Sequence, residues 1–374
     1  MVETFVVEQK PLLSILSSMQ PICSKKTVLD VTGSLLFSIS AKELIVKGTD
    51  LEISLQSSYP LATSTFSEPK SFLVNGKRLF DITKELESDI TFTLQNNQLL
   101  LSSGNVNLAL NIKDAQEFPP FPERIENLMH LDAAFLLSLL DKVAFLIPQN
   151  NANPALNGLY LEISPESLTM TTTDGHCLAQ VKTAKYTLEK SQHWLLPRRA
   201  VIELKKVIET SGVTTVFLGI CANQLVISGE NFNFFTKLVS NPFPEYRPIL
   251  DKKGFVPAAI DRSSLVKTLK RSTCLLSGQF IATTFAFSKS DLDVVIHNKE
   301  VGKLEEKLPL TNLEGASLSM KFYAPYLLSG LHAFTEPSLT FYLNTQTRPI
   351  IFETKDTTDY HLTYLVMPVS PSAA

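Results

Sequence analysis

Ile39-Ser-Ala-Lys-Glu-Leu-Ile-Val-Lys-Gly-Thr-Asp50 has two relatives in the same chain. They are Ile163-Ser-Pro-Glu-Ser-Leu-Thr-Met-Thr-Thr-Thr-Asp174 and Phe287-Ser-Lys-Ser-Asp-Leu-Asp-Val-Val-Ile-His-Asn298. Asp50 and Asp174 stand 124 positions apart, and Asn298 follows Asp174 by 124 again. Leu44, Leu168 and Leu292 occupy one offset within the copies. Each copy reads as a tight polar turn leading into a strand of alternating character. A fixed long period marks a repeated unit, and it decides the architecture before any motif does.

Asn97-Gln98-Leu99 and Asn223-Gln224-Leu225 repeat at a spacing of 126, each ahead of a further strand. Glu117-Phe118-Pro119 and Pro242-Phe243-Pro244 close the first two copies. The spacing predicts three units: 1–127, 128–253 and 254–374.

Each third carries two helical stripes. In the first they are Leu12, Ile15, Leu16 and Met19, then Leu79, Ile82 and Leu86. In the second they are Leu136, Leu139, Leu140 and Val143, then Val201, Leu204 and Ile208. The last third offers Leu265 and Leu269, then Leu327, Leu331 and Phe334. Asp132 and Asp261 suit N-caps, and Pro11, Pro197 and Pro325 suit a helix's first turn. Between the helices lie β-rich runs such as Ile90–Leu94, Leu99–Ser102, Thr215–Leu218 and Leu339–Leu343. The predicted class is α+β. Each third has two helices that must lay their apolar stripes on antiparallel sheets, leaving polar faces outward.

Apolar residues make up 44% of the chain and charged residues 19%, the balance of a folded globular protein. No apolar run approaches the roughly 20 residues that cross a bilayer. The opening MVETFVVEQK carries acidic residues and lacks the order of a signal peptide, so a cytoplasmic protein is expected. Cys23, Cys177, Cys221 and Cys274 form no CxxC pair, which predicts reduced thiols and no zinc site. The net charge of −3 argues against a surface that is basic throughout, but it allows a basic inner face with an acidic outer one.

Asp174 and His176 form a candidate acid–base pair. The chain supplies neither a GxSxG nucleophile, nor HExxH metal spacing, nor a phosphate-cradling glycine loop to complete it. A turn held by Asp174 and Gly175 accounts for the same residues without chemistry. No enzyme, cofactor or metal is expected.

Thr173-Asp174-Gly175-His176-Cys177-Leu178-Ala179, with Leu156-Asn157-Gly158 upstream, resembles the central-domain signature of the bacterial β sliding clamp family. Gly48-Thr49-Asp50-Leu51-Glu52 resembles that family's first-domain turn. Phe243-Pro244-Glu245-Tyr246 resembles its F-P-D-Y segment, and Val366-Met367-Pro368-Val369 its V-M-P-M ending. The matches follow family order and span nearly the whole chain.

The resemblance implies three clamp-type domains and a head-to-tail homodimer closed into a ring, helices inside and sheets outside. It implies a processivity factor that encircles double-stranded DNA without reading sequence. That factor would tether DNA polymerase subunits and the clamp loader through short apolar peptide motifs, with no membrane partner. The peptide pocket would be lined by Leu156, Thr173, Gly175, His176, Leu178, Pro244, Ile249, Leu365, Met367 and Pro368. Lys25, Lys26, Lys77, Arg78, Arg198, Arg199, Lys205, Lys206, Lys270 and Arg271 would face DNA phosphates. Leu108 on one side and Leu275 and Leu276 on the other would pack across the subunit interface.

Three departures bear on the pocket's rim. Cys177 stands where the family has arginine, Pro248 stands where it often has a polar or basic residue, and Ser-Pro-Ser-Ala-Ala replaces the usual short tail. A scaffold of the same fold that binds partners without encircling DNA is the alternative reading. A hydrolase built on Asp174 and His176 is the third.

Overall fold

The computed structural model describes residues 3–122, 125–278, 280–311, 313–314, 317–355 and 359–369; the tail from 370 to 374 lies outside them. The chain forms two compact units. One comprises Met1–Leu137 with Arg199–Leu238, the other Ser138–Arg198 with Val239–Ala374.

All six expected helices form: α1 (Gln9–Cys23), α2 (Gly76–Lys84), α3 (Ala133–Val143), α4 (Arg198–Ser211), α5 (Arg262–Thr273) and α6 (Ala324–Leu331). Their starts are chemically marked. Asp132 Oδ1 accepts from Phe135 N at 2.6 Å and Asp261 Oδ1 from Ser264 N at 2.7 Å, each satisfying an amide that the first turn leaves unpaired. Pro325 stands in the first turn of α6, whereas Pro197 ends the strand before α4 and so precedes the helix. Two stripes run longer than their helices. Leu86 and Phe334 are buried beyond the last turns of α2 and α6, where the chain bends but continues to feed the core.

The first unit holds one antiparallel sheet of twelve strands. From one edge they run Glu3–Val7, Ile90–Gln95, Gln98–Ser103, Val106–Asp114, Lys70–Asn75, Ser34–Ile39, Glu43–Thr49 and Ile53–Pro60. The order continues with Phe232–Lys237, Gln224–Ser228, Thr215–Cys221 and Glu126–Asp132. The junction between the first and middle thirds is thus a strand pair, with Ile53 opposite Thr236 and Ser57 opposite Phe232.

The second unit holds two sheets. Eight strands run Gln192–Pro197, Gly158–Ile163, Leu168–Thr173, Cys177–Thr183, His361–Val366, Ile350–Glu353, Ser338–Leu343 and Val256–Asp261. The other four run Gly302–Pro309, Asp291–Asn298, Thr283–Phe287 and Leu318–Phe322. Here Cys177 lies opposite Val366 and Lys182 opposite His361, joining the middle and last thirds as in the first unit.

The repeated sequence has a repeated geometry. Asp50 Oδ1 accepts from Glu52 N (3.0 Å) and Ile53 N (2.7 Å), and Asp174 Oδ1 from His176 N (2.8 Å) and Cys177 N (2.7 Å). Asn298 Oδ1 accepts from Glu300 N at 2.9 Å and Val301 N at 3.4 Å. A short side chain with an acceptor oxygen is what this turn needs, so Asp and Asn interchange there. Leu44, Leu168 and Leu292 are all buried at the starts of the strands that run into these turns.

Candidate functional site

The Thr173–Cys177 turn is built twice over. Besides Asp174, Thr173 Oγ1 accepts from Gly175 N at 3.1 Å and donates to Cys177 O at 2.6 Å. Gly175 has φ +94°, a conformation that costs a side chain but not glycine. Asn151 Nδ2 donates to Asp174 O at 3.4 Å, and Asn151 and Asn157 exchange bonds of 2.7 and 2.9 Å. These amides fasten the 151–157 loop to the turn, and a Cβ at position 175 would sit 3.9 Å from Leu156 Cδ1. Asp174 is therefore spent on the backbone, and its counterparts Asp50 and Asn298 do the same work without a histidine. A catalytic role for Asp174 has no support in this geometry.

Beyond the turn the sheet face is apolar. Leu178 lies opposite Leu365, and Met367 N donates to His176 O at 2.9 Å, continuing the pairing past the strand's end. Leu178, Leu365, Ile351 and Tyr246 form a buried cluster against which Ile249, Met367, Phe243 and Tyr160 pack. Eight of the ten expected pocket residues are brought to this end of the sheet by direct contact, and Pro244 and Pro368 by adjacency to Phe243 and Met367.

A strap, residues 243–250, packs on the strand Gly158–Ile163. Phe243 stacks on Tyr160 at 4.8 Å, and Tyr246 and Arg247 both reach Glu162 at 2.5 Å. Burial, then the bond to Glu162, pushes the Tyr246 phenol well above its usual range. Pro248 lies in the 3-10 turn Arg247–Leu250. Cys177 is buried, and that burial, followed by the charge of Asp174, pushes its thiol up to about 12, so it sits as a neutral side chain.

His176 is exposed and stacks on Tyr326 of α6, ring centres 5.5 Å apart at 18°. Tyr326 meets Tyr323 edge-on at 5.1 Å, and Tyr323 stacks on Phe280 at 4.6 Å. Sequence reasoning missed this aromatic row and Tyr160, and it quoted Phe243 and Tyr246 as a family-like segment without counting them among the pocket residues. Tyr323 and Tyr326 share a helical face at i, i+3, but nothing local points them at a histidine 150 positions earlier.

The basic residues divide by what they touch. In the first unit Arg199 pairs with Asp50 and donates to Pro21 O at 2.9 Å, and Lys25 reaches Glu52 and, at 3.7 Å, Asp50. Lys206 Nζ donates to Ser17 O at 2.9 Å. Burial pushes the Asp50 carboxyl up, but Ile53 N, Arg199 and Glu52 N together outweigh it and hold the pKa below the ordinary carboxylate value. Lys26, Lys77 and Arg78 are exposed. They share one corner, because α2 begins against the end of α1, where a Cβ at Gly76 would fall 2.6 Å from Cys23 Sγ. In the second unit Arg198 Nε donates to Ile147 O at 3.1 Å, Arg271 is paired to Glu306, and Lys270 is exposed. Lys205 is half-buried.

Three family models cover the chain in order. The DNA polymerase III beta subunit N-terminal domain matches residues 3–122, the central domain 130–245 and the C-terminal domain 249–370. The chain belongs to the DNA polymerase III beta subunit family. The beta sliding clamp of Pseudomonas putida is 26% identical over 370 residues, 98% of this chain and 99% of that protein. The beta sliding clamp of Escherichia coli K12 is 26% identical over 368 residues, with the same coverage of both. Among solved structures, the DNA polymerase III subunit beta of Pseudomonas aeruginosa aligns over 98% of this chain and 99% of its own, at 25% identity and a TM-score of 0.89. The beta subunit from the DNA polymerase of Streptococcus pyogenes shares the fold at 20% identity and a TM-score of 0.90, over 98% and 99% of the two chains.

Among the described residues no helix is long and apolar enough to cross a membrane, and no cluster of His, Cys, Asp and Glu is arranged to hold a metal.

Proposed function

We propose that two copies of this chain close head to tail around duplex DNA and act as a sliding clamp, with three domains at 1–127, 128–253 and 254–374. The observation that carries this reading is a pair of open strand edges. The strand Ile53–Pro60 ends the first repeated hairpin and pairs with Phe232–Lys237; Cys177–Thr183 ends the second and pairs with His361–Val366. Gly302–Pro309 ends the third and is an outer strand of its sheet. The edge that the repeat matches to Phe232–Lys237 is Val106–Asn111, paired to Gln98–Ser103 on one side only. Val106 and Leu108 are 43% and 37% exposed there, an uncovered apolar edge that a folded chain hides by pairing. A donor edge and a receiving edge matched by the repeat suit a heterologous interface that closes on itself.

The repeat also supplies a register. The 124-residue step that carries Ile53 to Cys177 carries it on to Val301, and a 126-residue step back from Thr236 reaches Leu110. Lys303 of one copy then faces Leu108 of the other, and Glu305 faces Val106. Leu275, half-buried just past α5, supplies apolar cover beside this edge, whereas Leu276 is buried within its own chain and serves its core.

The ten pocket residues around His176 and Leu178 hold short apolar motifs of polymerases and of the clamp loader. Each buried leucine or phenylalanine of a motif contributes about 1.5–3 kcal/mol before ordering costs, so two or three give exchangeable, micromolar-class binding. Lys26, Lys77, Arg78 and Lys270 are the freest of the ten DNA-facing candidates. Lys25, Arg198, Arg199, Lys205, Lys206 and Arg271 act close to protein partners and offer phosphates a weaker hold. Contact of that kind suits sliding, and the work is done in the cytoplasm with no cofactor and no chemical step.

Solution mass, then retention on nicked circular DNA before and after linearisation, tests this reading. A mass near twice 41.5 kDa with retention lost on linearisation is expected. A monomer, or retention indifferent to topology, overturns it in favour of a scaffold that does not encircle DNA.

A further inference from the structure

Two loops meet at one edge of the apolar site and bring charge to it. The strap ends at Leu250 and runs on through Asp251, Lys252 and Lys253 to Phe255. The other loop, residues 344–348, links the strands Ser338–Leu343 and Ile350–Glu353. Arg348 Nη2 donates to Asp251 O at 3.3 Å and Asn344 Nδ2 to Lys253 O at 3.4 Å, so the loops are fastened to each other. Arg348 N also donates to Thr345 O at 3.2 Å, which fixes the turn that presents the guanidinium.

Both loops rest on the floor of the site. Arg348 Cζ lies 5.5 Å from the centre of the Phe255 ring, and Lys252 Nζ lies 4.5 Å from that of Tyr342. Phe255 and Tyr342 pack against the buried cluster of Leu178, Tyr246, Ile351 and Leu365, as Ile249 and Met367 do. The strand pairing agrees. Ile350 lies opposite Val366, and counting back two residues in that register puts Arg348 level with Pro368.

The cations differ in how their charge is met. Lys252 is paired to Glu353 at 2.6 Å, and His361 Nε2 lies 3.5 Å from the same carboxylate. Arg348 is half-buried and Lys253 is exposed, and among the described residues neither has a carboxylate partner. Asp251, the acid of the same loop, accepts from Lys253 N at 3.1 Å through Oδ1 and forms no ion pair with either cation. Neither Cys177 nor Pro248 adds charge to this rim. A guanidinium drawn out of water, stacked on a ring and held in one orientation is a charge prepared for a planar anion.

We propose that Arg348, assisted by Lys253, receives a carboxylate of the bound partner peptide beside its apolar anchors, so that this rim selects acidic motifs over neutral ones. The inference rests on the reading of this site as a peptide pocket. One guanidinium N–H is spent on Asp251 O, which leaves others for the oxygens of a carboxylate. That carboxylate is an aspartate or glutamate side chain or the peptide's own C-terminus.

Fluorescence anisotropy on the full chain tests it, with labelled decapeptides that carry two leucines and a phenylalanine at their centre. The anchors are flanked on both sides by aspartate or by asparagine, and each peptide is made as the C-terminal acid and as the amide. Comparing the two amides isolates the side chain; comparing the asparagine acid with its amide isolates the chain end. At least one of these carboxylates is expected to tighten binding about threefold to tenfold, by an amount that shrinks with salt. Arg348→Gln should erase that gain and leave the asparagine amide unchanged. Lys253→Gln, at an exposed position, should roughly halve it. A thermal melt shows whether Arg348→Gln is folded, and Lys253→Gln decides the matter if it is not. No gain from either carboxylate, or a gain undiminished in the folded variants, overturns the proposal while the asparagine amide still reports an apolar pocket. Failure of every peptide to bind removes the pocket reading itself, and this proposal with it.

Discussion

Tyr246 donates its phenolic hydrogen to Glu162 across 2.5 Å, and through that bond a strand of the sheet holds the strap that walls one side of the apolar site. Hydrogen bonds to a charged group are worth about 1.5–3 kcal/mol. Tyr246→Phe keeps the ring's packing and removes only the bond. It is expected to lower the melting temperature by a few degrees and to weaken an apolar clamp-binding peptide about threefold in fluorescence anisotropy. Unchanged values for both would mean that the strap is held by packing alone.

Met367 contributes its backbone amide to the turn and its side chain to the cluster, so truncating the side chain separates the two roles. Met367→Ala is expected to cost peptide affinity about tenfold, the equivalent of ~1.4 kcal/mol, with the melting temperature little changed. His176→Ala, which removes the partner of Tyr326, should weaken the same peptide severalfold. An equal loss of stability and affinity in both variants would place these side chains in the core instead of at a binding surface.

At Gly175 the limit is backbone conformation and not space. Its φ of +94° is matched in the sister turn by Leu51 at +74°, so a side chain is possible there at a cost. Gly175→Ala should destabilise by about 1 kcal/mol in a denaturant titration, because the nearest atom to the new Cβ is 3.9 Å away. A loss several times larger would point to a clash that this spacing does not contain.

Asp50 is held ionised in the fold, its pKa below the ordinary value of 3.8. Folding is therefore favoured by the charged form. The contribution is complete above the unfolded pKa and is lost as pH falls below about 4 toward the lowered folded value. Asp50→Asn should cost about 2 kcal/mol at pH 7, and its deficit relative to the parent chain should shrink as pH drops through that window. Denaturation curves at pH 7, 5, 4 and 3 measure this; a constant deficit would assign the loss to packing.

The register proposed for the subunit junction makes a covalent prediction. Residues directly opposite in an antiparallel pair lie about 4.5–5.5 Å apart, within disulfide reach, whereas a two-residue slip puts them beyond it. Under oxidation, Leu108→Cys combined with Lys303→Cys should give a covalent dimer, and Leu108→Cys combined with Glu305→Cys should not. The reverse pattern would shift the register, and no crosslink in either would remove this edge from the junction. Leu108→Asp alone should halve the solution mass.

Much of this was legible in the residues. The hairpin turns need a short side-chain acceptor at one position and a buried leucine six residues before it, so Asp50, Asp174 and Asn298 with Leu44, Leu168 and Leu292 announce a threefold repeat. The helices announce themselves through stripes that one face must bury. Strand partners are a different matter. Ile53–Pro60 could pair with any free edge of matching pattern, and only the folded chain shows that it takes Phe232–Lys237. Side-chain alliances are equally nonlocal. Arg199 reads as a free cation at the start of a helix, yet it is committed to a carboxylate 149 positions away. Tyr326 lies outside the stripe of Leu327, Leu331 and Phe334, and only the folded chain shows that it carries the exposed ring of His176.

Because the pairing strands join neighbouring thirds, the two halves of the middle third belong to different compact units and should melt with different partners. The segment that was copied and the body that unfolds as one are thus out of step. A fragment cut at the repeat boundaries, though it matches a whole inherited module, would expose raw sheet edges at both ends and should precipitate. A cut that respects the strand pairs would have to remove a stretch from the interior of the sequence.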